Sequence, residues 1–509
     1  MAARAFQMSL SERGTAALVA VVLLAPLGAV IWRAGGMGAP GAADWAALRF
    51  TLLQAVLSAS VSVVLAIPVA KALARRQFFG RAALITLLGA PFILPVIVAV
   101  MGLLAVFGRA GLINQGLATL GLEGFRIYGL QGVVLAHVFF NLPLATRMIL
   151  QGWQAIPGER FRLAASLGMG PGQASRVLEW PMLRSVVPGA WMVIFALCLS
   201  SFAVALTLGG GPKATTLELG IYQAFTFDFD LGRAAGLAVA QLVLTGAAAA
   251  VALWVAAPPG FGAGMDRVVQ RWEAQGGLLK TWDGVVMGLA AAFLLVPLAM
   301  VVLDGLEGLG KMPGTVWAAA QTSVFIALCA TALTTGLALA LARKAELVGY
   351  LGLAISPMVI GTGLFLLVNP VADPKLLAFP VTVLVNALMA LPFAVRILGP
   401  QLRQVETDYG RLADGLGLRG WARMRWLIWP RVRKSLGFSA GLTAALSMGD
   451  LGVVALFASP DWATLPLEMY RLMGAYRMDA AAGAGLLLLA ISLALFWLFD
   501  RGGRGDVDA

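Results

Sequence analysis

Among the polar side chains inside otherwise apolar stretches, three are where chemistry would have to start. Asp450 closes the run Ser447-Met448-Gly449-Asp450, and His137 and Asn141 stand one helical turn apart. Ionisable groups are costly in hydrocarbon and are kept there for a task. A carboxylate at position 450 could line the path of a cation, or it could cap a broken helix or pair with an arginine. His137 and Asn141 could face the same path, or they could hydrogen-bond between packed helices. No cluster of catalytic side chains is visible, so an enzyme ranks last. A single histidine excludes a histidine-rich metal site. Cys198 and Cys329 lie far apart within apolar runs, as small fillers rather than a disulfide or thiolate pair. Residues 305–312, GLEGLGKM, come near the phosphate-binding pattern G-x4-G-K-[ST], but Met312 stands where a magnesium-binding hydroxyl is required.

The elements that must position these side chains are membrane helices. Of 509 residues, 60% are hydrophobic and 12% charged, against about 45–50% and about 25% in soluble domains. Continuous apolar runs long enough to span lie near 14–32, 48–70, 82–107, 131–150, 186–208 and 234–256. A second set lies near 284–303, 319–341, 347–368, 378–398, 436–457 and 480–499. The runs are continuous rather than alternating, which predicts about twelve helices and not barrel strands. Residues 14–32 are long for a signal peptide and lack a clean cleavage site, so they are read as an uncleaved first span. Pro91, Pro95, Pro143, Pro357 and Pro392 fall within spans and are expected to kink them.

The net charge of +12 reflects topology rather than nucleic-acid binding. With the amino terminus inside, 27 of the 37 Lys and Arg residues fall on the inner side. Both termini are then cytoplasmic. Outer loops would carry Glu218, Asp228 and Asp230 in the first half, and Asp461, Glu468 and Asp479 in the second. These acids would suit a cationic substrate or a basic docking face, or they simply follow from the rule that places positive charge inside.

An internal repeat sets the architecture. Residues 162–181, RLAASLGMGPGQASRVLEWP, and 411–430, RLADGLGLRGWARMRWLIWP, share nine of twenty positions at an offset of 249. The same offset pairs NLPLATR at 141–147 with ALPFAVR at 390–396, and His137 with Asn386. Each copy holds six spans, an even number, so the copies are parallel repeats about an axis along the membrane normal. The halves are 1–258 and 284–509, and the glycine-containing basic stretch 259–283 links them. Each repeated block lies in a cytoplasmic loop, 159–185 or 403–434. Within it come Arg162, Ala164, Ala165, Gly168, Leu178 and Pro181, matched by Arg411, Ala413, Gly417, Leu427 and Pro430. This reads as helix, turn, helix. Small residues let the first helix lie close to a partner, and glycine ends it in a left-handed turn. Proline breaks the second segment and redirects the chain into the next span.

Both blocks resemble the E-A-A-x3-G-x9-I-x-L-P loop of binding-protein-dependent ABC importer permeases, in the form G-x9-aliphatic-x-W-P. Arg162 and Arg411 replace the family's Glu. The resemblance implies a type I importer permease (MetI-like) architecture in a bacterial inner membrane. It also implies that each loop docks on a separate ATP-binding subunit, two copies in all, which would bind the ATP and magnesium. A periplasmic substrate-binding protein would deliver the substrate. Fused pairs resemble thiamine and ferric-iron permeases. Segments 209–238 and 449–489 look like the thiamine and thiamine-pyrophosphate permeases, with a ferric-iron permease as the alternative. A proton-coupled secondary transporter of two six-span halves also stays open. It would need buried acid or histidine pairs, and it leaves the repeated loops unexplained.

Overall fold

The computed structural model describes residues 10–36, 39–89, 93–255, 276–342, 348–349, 351–373, 376–457 and 462–504. The first half runs α1 (Leu10–Ala34), α2 (Ala42–Arg75), α3 (Arg81–Leu87), α4 (Val96–Phe107), α5 (Leu112–Thr119) and α6 (Leu130–Ala155). It continues with α7 (Gly158–Ser166), α8 (Trp180–Leu199), α9 (Phe202–Leu208), α10 (Leu217–Thr226) and α11 (Leu231–Val255). The second half runs α12 (Gly277–Gly308), α13 (Gly314–Leu341), α14 (Pro357–Val368) and α15 (Ala378–Gly415). It ends with α16 (Trp429–Met448), α17 (Gly452–Phe457), α18 (Leu465–Gly474) and α19 (Met478–Arg504).

Ten helices among the described residues are long and apolar enough to cross a membrane, and each overlaps one of the twelve predicted spans. The other two spans are interrupted. The expected 347–368 contributes α14, of twelve residues. The expected 436–457 is cut at Gly449 into α16 and α17. The run 82–107 likewise divides into α3 and α4, and 186–208 into α8 and α9. Pro95 and Pro357 do not kink these helices. Pro95 caps the start of α4, and Pro357 is the first residue of α14. A proline has no N–H to lose at a helix start, and its fixed φ suits that place. Pro143 and Pro392 do lie inside α6 and α15. Pro91, Asp461 and most of the expected linker lie outside the described residues, while 277–283 forms the first two turns of α12.

The element order repeats. Helices α8 and α16 begin and end at one offset, and so do the four-residue turns Pro171–Ala174 and Gly420–Arg423 before them. One difference is local. Pro157 separates α6 from α7, whereas Glu406 at the equivalent place lets α15 run on unbroken.

The halves interlock through their first helices. Helix α1 packs along α14 of the second half, and α12 along α4 of the first. Both crossings have the same construction. A β-carbon on Gly363 of α14 would fall 2.3 Å from the Pro26 carbonyl oxygen of α1, and one on Gly102 of α4 would fall 2.5 Å from that of Pro297 on α12. Glycine is required at both places because backbone meets backbone.

An ion cluster joins the halves at the end of α2. Asp283 of α12, 1% exposed, accepts from Arg75 Nε (2.8 Å) and Arg76 Nε (2.7 Å), and also meets Arg75 Nη2. Removing one member of a buried ion group leaves the rest uncompensated, at about 3–5 kcal/mol. Asp283→Ala is therefore expected to lower the thermal midpoint of the purified protein by several degrees. An unchanged midpoint would show that water already solvates both arginines.

Candidate functional site

The two repeated loops are built alike. Helix α7 ends at Ser166, Leu167 caps it, and Gly168 turns left-handed, with φ +66°. The Gly168 N–H donates to Ala165 O (3.0 Å) and the Met169 N–H to Ala164 O (3.0 Å). The second loop repeats this with Gly417 at φ +68°, its N–H on Asp414 O (3.1 Å), and the Leu418 N–H on Ala413 O (2.9 Å). These paired bonds satisfy the last helix carbonyls, and they need a residue that tolerates positive φ. A π turn follows in each, Ser175–Glu179 and Met424–Ile428, and runs directly into α8 or α16. Pro181 and Pro430 thus do not break the segment. Each is the second residue of its helix, and the wider turn before it accommodates the ring and the missing N–H.

Burial divides the small residues. Ala164 and Ala413 face the protein's own interior, and Leu427 is buried and Leu178 half-buried. Ala165, Arg162 and Arg411 are exposed. The outward face instead carries Leu163 and Leu167, 60% and 63% exposed, and their equivalents Leu412 and Leu416, 61% and 66% exposed. Four exposed leucines at repeated positions form two matched apolar faces. The bases of the loops differ. In the first, buried Glu179 accepts from Trp153 Nε1 (3.1 Å) and Ser175 Oγ (2.6 Å), with Lys71 Nζ at 2.7 Å. Leu402, Met424 and Ile428 replace Trp153, Ser175 and Glu179 in the second. There Arg423 bridges Glu406 (3.0 Å) and Asp414 (2.7 Å) instead.

A junction lies deeper in the bundle, where α8 breaks before α9 and α16 before α17. His137 on α6 is buried, with Nδ1 3.1 Å from Ser58 Oγ and Nε2 2.5 Å from Ser201 Oγ. Asn141 Nδ2 donates to Cys198 Sγ (3.4 Å). Both side chains tie α6 to the α8–α9 break. In the second half, Asn386 Nδ2 donates to Ser447 Oγ (2.9 Å). Asp450 stands where the repeat has Ser201, and its Oδ1 accepts the Gly452 N–H (3.1 Å), capping α17. Its Oδ2 is buried with no hydrogen-bond partner among the described residues. Gly449 packs on Pro95, and a β-carbon on Gly452 would touch the Phe202 ring and Met358 Sδ, each at 3.6 Å. The breaks therefore meet across the two halves.

Two relatives decide the family. The thiamine transport system permease protein ThiP of Brucella abortus is 38% identical over 503 residues, covering 94% of this chain and 93% of its own. That of Escherichia coli is 40% identical over 482 residues, covering 90% and 89%. The chain belongs to the thiamine transport system permease family. No family model matches it. A probable ABC transporter permease protein of Sinorhizobium fredii is 30% identical over 218 residues, 41% of this chain, the scale of one half.

In this member of the permease family, a helix cap was one of three readings the sequence left open for Asp450, and Glu218 was misplaced. That residue is not in an exposed outer loop. It lies buried at the start of α10, against Ser356 of the second half. The repeat carried no signal for it, since TLELGIY at 216–222 aligns with TLPLEMY at 464–470 and sets Pro466 opposite Glu218. Of the other described acids, Asp228, Asp230 and Asp479 are exposed and Glu468 is half-buried. Asp228 pairs with Arg233 (2.8 Å), and Asp479 with Lys311 (2.5 Å).

Proposed function

We propose that this chain is the membrane permease of an ATP-driven thiamine importer of the bacterial inner membrane. The observation that carries this is the pair of loops, built to one plan within one chain, each presenting two exposed leucines beside a rigid glycine turn. The loops face the cytoplasm, as do both termini, in keeping with the bias of Lys and Arg. Each loop docks on one of two ATP-binding subunits, which hold the ATP and its magnesium. A periplasmic binding protein delivers thiamine to the opposite face. Closure of the ATP-binding pair brings the loops together, and the force passes through α8 and α16 to the broken helices. The path between the halves then opens outward, and release of the nucleotide reverses it.

Vesicles containing the chain, its ATP-binding subunit and its binding protein are expected to accumulate labelled thiamine only when ATP is supplied. Uptake by the chain alone under a proton gradient would overturn this reading and favour a secondary transporter.

A further inference from the structure

One contact between the halves is polar on one side of the repeat and absent from the other. Glu218 is 1% exposed. Its carboxylate accepts from the hydroxyl of Ser356, the residue that caps α14 of the other half. The Phe202 backbone N–H, at the start of α9, also donates to it. The preceding residue is fixed as well: the Leu217 N–H donates to Thr51 Oγ1 (2.9 Å) on α2.

The pseudo-equivalent crossing has neither group. In the frame that pairs Thr216-Leu217-Glu218 with Thr464-Leu465-Pro466, the acid becomes proline. Ser356, just before α14, corresponds to Pro95, just before α4. Two prolines therefore serve where the fold needs only packing. A buried carboxylate costs several kcal/mol to desolvate, and apolar replacement of such groups is often neutral or stabilising. Among the described residues the acid and its hydroxyl partner occur together once, at a buried boundary between the halves. Packing alone does not account for them.

We propose that Glu218 and Ser356 form a latch that closes the path between the halves, and that Glu218 is the anion receiving the positive charge of the substrate when the latch parts. This deepens the thiamine reading, since thiamine carries a permanent thiazolium charge. Separation of the halves takes the Ser356 hydroxyl away while Phe202 stays with Glu218. The carboxylate is then short of a partner in a low-dielectric site, and an organic cation supplies one. Aromatic rings stand beside it. Tyr222 lies one turn along α10, its ring centroid 5.4 Å from that of Phe202. Such faces suit a flat cationic ring. Neutral or anionic solutes gain nothing from parting the latch.

The test uses the complete complex in vesicles, with the wild type first. Glu218→Gln keeps the shape and the Ser356 contact but removes the charge, and is expected to lower thiamine transport at least tenfold. Glu218→Asp is expected to recover part of that loss. Ser356→Ala keeps the anion and weakens the latch, and is expected to raise ATP hydrolysis several-fold when no binding protein is present. Wild-type transport by Glu218→Gln would overturn the anion role. Unchanged hydrolysis by Ser356→Ala would overturn the latch, and it reads independently should Glu218→Gln fail to assemble. If the wild-type complex itself moves no thiamine, the substrate assignment fails, and the latch is still judged by Ser356→Ala.

Discussion

Gly363→Leu is expected to prevent the two halves from packing and to remove most folded protein from the membrane fraction. Position 363 on α14 has no room for a side chain. A β-carbon there would sit 2.3 Å from the Pro26 carbonyl oxygen and 2.7 Å from the Pro26 β-carbon. The clash is with backbone on one side and a rigid ring on the other, so no rotamer change relieves it. Overpacking of a core costs about 1–3 kcal/mol and occasionally more, and a backbone clash belongs at the upper end. Set against a total stability of about 5–15 kcal/mol, one such change is severe. Adding Gly102→Leu, which strikes Pro297 at the mirrored crossing, is expected to leave no recoverable folded protein. Yield and monodispersity after detergent extraction measure this. Gly336→Leu on α13 is the control, because nothing lies within 4 Å of its added carbon. If Gly363→Leu behaved like that control, the interlock of first helices would be wrong.

Charging the outward leucines of both loops is expected to abolish transport while leaving the chain folded. Leu163, Leu167, Leu412 and Leu416 make no use of their exposure within this chain. Burying a leucine contributes about 1.5–3 kcal/mol, and only a part of that survives as binding free energy. Asp at two positions in one loop should still weaken the ATP-binding subunit at least tenfold, and in both loops should remove it from the purified complex. Co-purification and ATP-dependent uptake are the measurements. Intact uptake after all four changes would place the docking face elsewhere. Asp substitutions at exposed sites cost the fold little, so loss of the partner would not reflect unfolding.

These two predictions rest on different kinds of information. The loops were legible because everything that makes them is local. A glycine after a helix, a short spacer and a Trp-Pro step recur at a fixed offset, and turn chemistry needs only near neighbours. The apolar runs gave span positions for the same reason. What they could not give was where a run is interrupted, because Gly449, Ser200 and Ser201 are as acceptable inside an apolar stretch as at its break. Pro95 and Pro357 read as kinks when only their own run was considered. The direction in which Ala164 and Leu163 face was also hidden, since both fit a short helix with either side inward.

Composition and apolar runs by themselves determined that this is a helical membrane protein, because lipid forces every backbone group into local hydrogen bonds and so writes each helix as an apolar run; the match at an offset of 249 is what the sequence added about two copies. The tertiary structure alone decided which helices cross between copies, which glycines meet a proline carbonyl, and that Glu218 is buried against Ser356. Those outcomes depend on pairs of residues well over a hundred positions apart in the chain. No local pattern encodes such a pairing, and only the packing of one half on the other brings it about.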